Sequence, residues 1–236
     1  MTKKKNKSLV QRRLIPTYIF LTICSLISVF PLYWMFAAAT NDTVSVARGS
    51  IVFGNQLLVN FEHLKNAVQG TLWSSMGNSF LYSIVQTAFT LFVCSIAGYG
   101  FELYHDKGKD RLFGVLLLAM MVPAVATMVP LYQLVSGAKL LNSVWAFILP
   151  GISTPFMIMM FRQNSRNFPP DIMEAARIDG LPEWKIFFKM YVPIQKSIYA
   201  AAAVITFMNA WNAYLWPKVV MSDNRAQTMP MFIANI

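Results

Sequence analysis

Glu174-Ala175-Ala176-Arg177-Ile178-Asp179-Gly180, followed after a gap of nine residues by Met190-Tyr191-Val192-Pro193, carries the most specific chemistry in this sequence. That chemistry is recognition of another protein, not bond making. Pro169-Pro170 are expected to open a short helix, because proline's fixed backbone angle suits the first turn and its missing N–H is not needed there. Asp171 and Glu174 then lie near the positive helix end, where an anion is favoured by roughly 0.3–1 kcal/mol. Gly180 is expected as a left-handed cap, and Pro182-Glu183 as the start of a second short helix. Ala175 and Ala176 are expected to leave a low-relief patch able to lie deep in a groove of a partner. The same residues would serve equally as a surface helix-turn-helix tying two apolar segments together.

A second group, Asn209, Trp211, Asn212 and Tyr214, sits inside an apolar stretch. An amide in hydrocarbon needs a hydrogen-bond partner. Two readings stand side by side: the amides join helices while the aromatics form an interfacial belt near Lys218, or some of the four line a polar cavity suited to sugar rings. Catalysis finds no support. His63 and His105 are too few and too far apart for a metal site, and there is neither a phosphate-binding Gly-Lys-Ser/Thr loop nor a Ser/His/Asp grouping. Cys24 and Cys94 lie in separate apolar stretches and read as small buried residues. No cofactor and no metal are expected.

The elements that must position these groups follow from composition. Of 236 residues, 56% are hydrophobic and 13% charged. Residues 14–39, 77–101, 112–138, 140–161 and 197–217 contain no Asp, Glu, Lys or Arg. About 20 helical residues cross the ~30 Å of hydrocarbon, so the expected fold is an all-α, polytopic transmembrane bundle of five spans. Pro123 and Pro130 interrupt the third, and Pro150-Gly151 and Pro155 the fourth, either as passive bends or as broken helices beside a pathway. Small residues at Gly77-Asn78-Ser79 and Gly98-Tyr99-Gly100 are expected to permit close helix contact. A tight turn is expected over residues 137–142.

The basic residues sort by side. Fifteen of the 20 fall before span one, between spans two and three, or between four and five; Arg48, Lys65, Lys139, Lys218 and Arg225 fall on the other side. The positive-inside rule makes the amino terminus, residues 102–111 and residues 162–196 cytoplasmic, and residues 40–76 an external segment. A net charge of +10 distributed in this way is not a nucleic-acid face. A cleaved signal peptide is disfavoured, since its apolar core is about 7–15 residues, shorter than residues 14–39. Residues 1–13 are then a basic cytoplasmic terminus and 14–236 the transmembrane domain.

Glu174-Ala175-Ala176, Asp179-Gly180 and Pro193 resemble the coupling loop in the membrane subunits of ATP-binding-cassette importers. The likeness extends through Asn60-Phe61, Asn78-Ser79, Pro123, Pro130-Leu131-Tyr132, Pro150, Pro169, the run Trp211 to Pro217, and Thr228-Met229-Pro230. As a whole the chain resembles the second permease of the maltose-type, carbohydrate-uptake group. The resemblance implies a type I importer permease fold in the cell membrane and a heterodimer with a second, different permease. It also implies a cytoplasmic ATPase dimer that hydrolyses the ATP and is held through Glu174, Ala175, Ala176, Asp179, Gly180 and Pro193. An extracellular or periplasmic solute-binding protein would deliver a carbohydrate, and Asn209, Trp211, Asn212 and Tyr214 would be candidates for the solute path.

Met190 and Val192 depart mildly from that pattern, and Ser197 stands where a second proline is common. Five spans are counted where the family has six, so the last helix of the pattern is expected to be missing here. Alternatives are an importer permease for a non-sugar solute such as a glycerophosphodiester or polyamine, and a membrane scaffold that holds a cytoplasmic partner without moving solute.

Overall fold

The computed structural model describes residues 2–68, 70–104, 106–223 and 226–235. They are helical with no strand among them. Two compact units separate at residues 69 and 70.

In the first unit, helix α1 (Thr2–Ala39) is continuous, and its apolar part Leu14–Ala39 is long enough to cross a membrane. A short α2 (Thr43–Ala47) and then α3 (Leu57–Val68) follow. Three polar side chains hold this segment together. The Asn60 amide donates to Ala39 O at 2.9 Å and Asn41 O at 2.8 Å, which pins α3 to the end of α1. The Asn41 amide donates to Ala37 O at 2.8 Å and Val52 O at 2.7 Å, while the Thr40 hydroxyl accepts from Gly54 N at 2.9 Å. Gly54 must be glycine, since a Cβ there would stand 2.5 Å from Thr40 O.

The second unit is built around α4 (Thr71–Leu103), a 33-residue unbroken apolar helix. Its inward stripe is small and weakly polar: Ser75, Ser79, Ser83, Thr87, Thr90, Cys94 and Gly98, at spacings of three or four. Such residues let helix backbones approach closely where lipid offers no hydrophobic drive to associate. Helices α8 (Pro155–Ser165) and α12 (Lys196–Trp211) pack along α4. At Gly98 the approach is closest, because a Cβ would lie 2.5 Å from Phe161 Cβ and 2.7 Å from Arg162 N. Gly77 and Gly100 face open space, so of the glycines expected to permit contact only Gly98 does.

The remaining spans are broken. Helices α5 (Lys107–Ala119) and α6 (Ala124–Gly137) meet at 105°, so of the two expectations for residues 112–138, a passive bend or a broken helix, the structure has the break. Pro123 makes the corner, extended at ψ 132°, while Pro130 sits inside α6 without ending it. A second pair, α7 (Val144–Ile148) with the 3₁₀ turn Leu149–Gly151, meets α8 at 45°. The Thr90 hydroxyl donates to the Gly151 carbonyl at 3.0 Å, supplying a partner where the helix ladder stops. Among the described residues two helices are long and apolar enough to cross a membrane, or up to four if each bent pair is one span. The expected fifth span is the 16-residue α12, which stops at Trp211 and resumes as α13 (Leu215–Val220). A terminal α14 (Met229–Asn235) returns against α4.

Both ends of α4 are fixed by polar contacts. At one end Glu102 receives Arg162 at 3.1 Å and Arg166 at 3.1 Å, Arg162 also reaches Asp110 at 3.0 Å, and its guanidinium lies 4.0 Å from the Phe113 ring centroid. At the other, Ser79 Oγ accepts from Met229 N at 2.7 Å and the Asn78 amide donates to Gln227 O at 3.0 Å. The turn after α6 takes its left-handed residues at Lys139 (φ 58°) and Asn142 (φ 59°), not at Gly137. Asn142 Oδ1 then accepts from Ser222 N at 2.7 Å and Asp223 N at 3.2 Å.

Candidate functional site

Residues 162–196 fold as the sequence suggests locally. Pro169 is extended, Pro170 opens α9 (Pro170–Ile178), and Gly180 is left-handed at φ 74°. Gly180 N donates to Arg177 O and Leu181 N to Ala176 O, both at 3.0 Å, closing the C-terminal cap that such a glycine permits. Helix α10 (Glu183–Ile186) follows, then a π turn Phe187–Tyr191 and α11 (Val192–Ile194). The wide turn directly precedes Pro193, whose ring and missing N–H disrupt a regular α-helical ladder.

This hairpin has a core of its own. Phe168, Met173, Ala176, Ile186, Phe187 and Tyr191 are buried together with Tyr99 of α4. Three rings converge on Tyr191, with Tyr99 at 4.9 Å, Phe187 at 5.4 Å and Phe168 at 5.5 Å from it. The base is clamped to α8: Ser165 Oγ and Tyr191 OH are 2.6 Å apart, the Asn164 and Gln195 side-chain amides bond, and Gln195 Nε2 donates to Asn164 O at 3.2 Å.

The face left open differs from the expected alanine patch. Glu174, Ala175, Asp179 and Pro193 are exposed, but Ala176 is 1% exposed and belongs to the core. With Met173 it marks the inward stripe of α9, and Ala175 lies off that stripe. Two large apolar residues stand out in its place: Ile178 is 86% exposed and Trp184 61%. Ile178 falls two positions beyond Ala176, about 200° round the helix, so helical periodicity alone points it outward.

Electrostatics centre on Glu183. Its Oε1 accepts from Arg177 Nε at 2.7 Å and its Oε2 from the Tyr99 hydroxyl at 3.3 Å. Burial pushes the Glu183 carboxyl up, but hydrogen bonds from Tyr104 and Arg177 and the Arg177 charge prevail and hold it below its ordinary value. The Arg177 guanidinium also lies 5.7 Å from the Tyr104 ring centroid.

The second candidate group is not gathered into a site. Asn209, Asn212 and Tyr214 are exposed at the end of α12, and the Asn212 amide donates to Met208 O of its own helix at 2.8 Å. Trp211 packs against Phe80 at 4.8 Å and Phe207 at 5.8 Å. Trp216, outside the candidate set, donates its indole N–H to Ala146 O at 2.9 Å and ties α13 to α7. A groove of about 480 Å³ between α4 and α12 is lined by Ile84, Thr87, Leu91, Val204, Phe207 and Met208, and is apolar. None of the four candidates lines it. Among the described residues no cluster of His, Cys, Asp and Glu suits a metal ion.

Relatives share this architecture. The lactose transport system permease protein LacG of Rhizobium radiobacter is 42% identical over 231 residues, covering 96% of this chain and 83% of that protein. The arabinooligosaccharides transport system permease protein AraQ of Halalkalibacterium halodurans is 36% identical, covering 89% and 76%. The sn-glycerol-3-phosphate transport system permease protein UgpE of Yersinia pestis is 30% identical, covering 87% and 75%. Among solved structures, one chain of a bacterial ABC transporter that imports the acidic polysaccharide alginate superposes with a TM-score of 0.80 at 19% identity, over 95% of this chain and 79% of that one. The family model for binding-protein-dependent transport system inner membrane components matches residues 95–235, from the last turns of α4 through the hairpin to α14. The chain therefore belongs to the family of binding-protein-dependent transport system inner membrane components.

Proposed function

We propose that this chain is one of two permease subunits of an ATP-driven carbohydrate importer, in which residues 174–193 receive the motion of a cytoplasmic ATPase. The observation that carries the reading is the hairpin: it has a packed core, is clamped to α4 and α8, and still leaves Ile178 and Trp184 exposed. A rigid helix that presents large apolar side chains to water is a surface awaiting a partner. Ile178 is the anchor, with Glu174 and Asp179 beside it. ATP-driven closure of the ATPase pair would move this hairpin and turn the permease halves outward toward a solute-binding protein, and hydrolysis would reset them. Such coupling requires that the two ATPase states contact the hairpin differently. ATP hydrolysis belongs to the partner, and this chain contributes the path and the lever.

Carbohydrate is favoured as the solute by the lactose and arabinooligosaccharide relatives. The sn-glycerol-3-phosphate relatives favour a second reading, a small polar phosphorylated solute. The side assignment is the one in which residues 102–111 and 162–196 face the ATPase. Their joining through Glu102, Arg162 and Asp110 supports a common side.

One experiment tests the reading. The importer is reconstituted with its ATPase, and hydrolysis is measured with sugar-loaded and with sn-glycerol-3-phosphate-loaded binding protein. Ile178→Asp is expected to weaken ATPase binding about 30-fold or more, as for a buried interface anchor of about 2 kcal/mol. Wild-type ATPase binding by Ile178→Asp removes the docking role. Stimulation by the phosphorylated solute alone replaces carbohydrate with the second reading.

A further inference from the structure

We propose that Glu183 is the joint through which the hairpin drives the membrane bundle, one carboxylate oxygen held by the hairpin and the other by α4. This rests on the reading of residues 174–193 as the ATPase-facing lever. Arg177 lies on α9, next to the exposed Ile178, and donates to Glu183 Oε1 at 2.7 Å. Tyr99 lies in the last turns of α4 and donates to Oε2 at 3.3 Å. A carboxylate accepts at both oxygens at once, so a single side chain connects the first short helix, the second short helix and the principal span.

The surroundings make that connection stiff. Tyr99 is 5% exposed and packs edge-on against Phe187 at 5.2 Å and Tyr191 at 4.9 Å, so its hydroxyl has little freedom. Tyr104, just beyond the end of α4, meets Tyr99 edge-on at 6.2 Å, and its ring carries Lys109 of α5 at 4.9 Å and Arg177 at 5.7 Å. The aromatic contacts are broad and tolerate sliding. The hydrogen bonds are directional and fix register between the two bodies. A push on α9 would therefore reach α4 through Arg177, Glu183 and Tyr99 with less slip than through the rings alone. Glu183 and Tyr99 are positioning residues and touch neither solute nor nucleotide.

The test uses the assembled importer in proteoliposomes, with solute taken up per ATP hydrolysed as its main readout. Tyr99→Phe removes only the hydroxyl and keeps the ring; Glu183→Ala removes both halves of the joint. Each is expected to lower uptake per ATP by at least roughly threefold, the weight of one directional hydrogen bond or more, and Tyr99→Phe, on α4 outside residues 174–193, should leave ATPase binding intact. The double variant should be no worse than Glu183→Ala, because both changes cut the same connection. Wild-type uptake per ATP in Tyr99→Phe, or additive losses in the double variant, overturns the joint. Should Tyr99→Phe fail to assemble, Glu183→Asp, one methylene too short to reach both partners, replaces it with the same two outcomes. Release of the ATPase by Ile178→Asp separates the two ideas: if it fails to release, the lever reading itself falls, whereas if it releases and Tyr99→Phe is silent, only the joint falls.

Discussion

The hairpin of residues 162–196 and the end of α12 at residues 209–217 were marked by equally distinctive residues, yet they fold into opposite kinds of structure. The hairpin closes on itself: it has a buried core, a capped turn at Gly180 and clamps to α8 and α4. The end of α12 is open, with Asn209, Asn212 and Tyr214 exposed and the helix interrupted after Trp211. A docking surface has to be rigid before its partner arrives, because every side chain ordered on binding subtracts from affinity. A solute path between two permeases needs only half a wall from each. The contrast teaches that, on the proposed reading, the hairpin is a finished surface while the end of α12 is one half of a wall.

The contrast breaks first at the clamp. Glu102 and Arg162 are 13% and 12% exposed, so Glu102→Ala leaves a largely buried guanidinium with only the outer Asp110 as partner. The expected cost is about 3 kcal/mol. Trypsin sensitivity of the detergent-solubilised subunit should rise at residues 162–196 and not at 215–220. Equal sensitivity at both would show that the hairpin is no stiffer than the end of α12.

Gly180→Val comes next. The position has open space but φ 74°, so the cost is backbone strain of about 1–2 kcal/mol. Uptake should be abolished with normal insertion into the membrane, because the spans are held by their own packing. Loss of the protein from the membrane would make the turn a folding device.

At the open end, Asn212→Ala and Trp211→Ala separate two kinds of role. Asn212 spends its amide on its own helix, so its removal should shift the uptake KM by no more than about fivefold if it touches solute through its carbonyl oxygen. Trp211→Ala should reduce assembly by opening the packing with Phe80 and Phe207. Unchanged KM and rate in an assembled Asn212→Ala importer would take Asn212 out of the path.

The smallest effect is that of pH. Glu183 is held below its ordinary value of 4.5, so its contribution is fully present above that value and is lost as pH falls through the lower folded one. Labelling of a cysteine placed at Asp179 should be flat above pH 4.5 and rise only as the pH falls below that value. A rise near neutrality would assign the hairpin's hold to some other group.

Much of this was legible without coordinates. Hydrophobic runs free of charge and the prolines and glycine of residues 169–182 are local signals, and a bilayer makes local signals decisive because every backbone group must find its partner within the segment. The caps at Pro170 and Gly180 appeared where residue type alone required them. Tertiary structure decided what periodicity left open. Periodicity puts Ala176 and Ile178 on opposite sides of α9, but which of the two sides is buried was set by Tyr99, Phe187 and Tyr191, partners from positions far apart in sequence. The 105° corner at Pro123, where Pro130 leaves its helix whole, likewise depends on packing and not on proline chemistry, which is the same at both. Spans and turns are properties of a segment and its solvent; which face is free and which carboxylate oxygen meets which helix are properties of the assembled bundle.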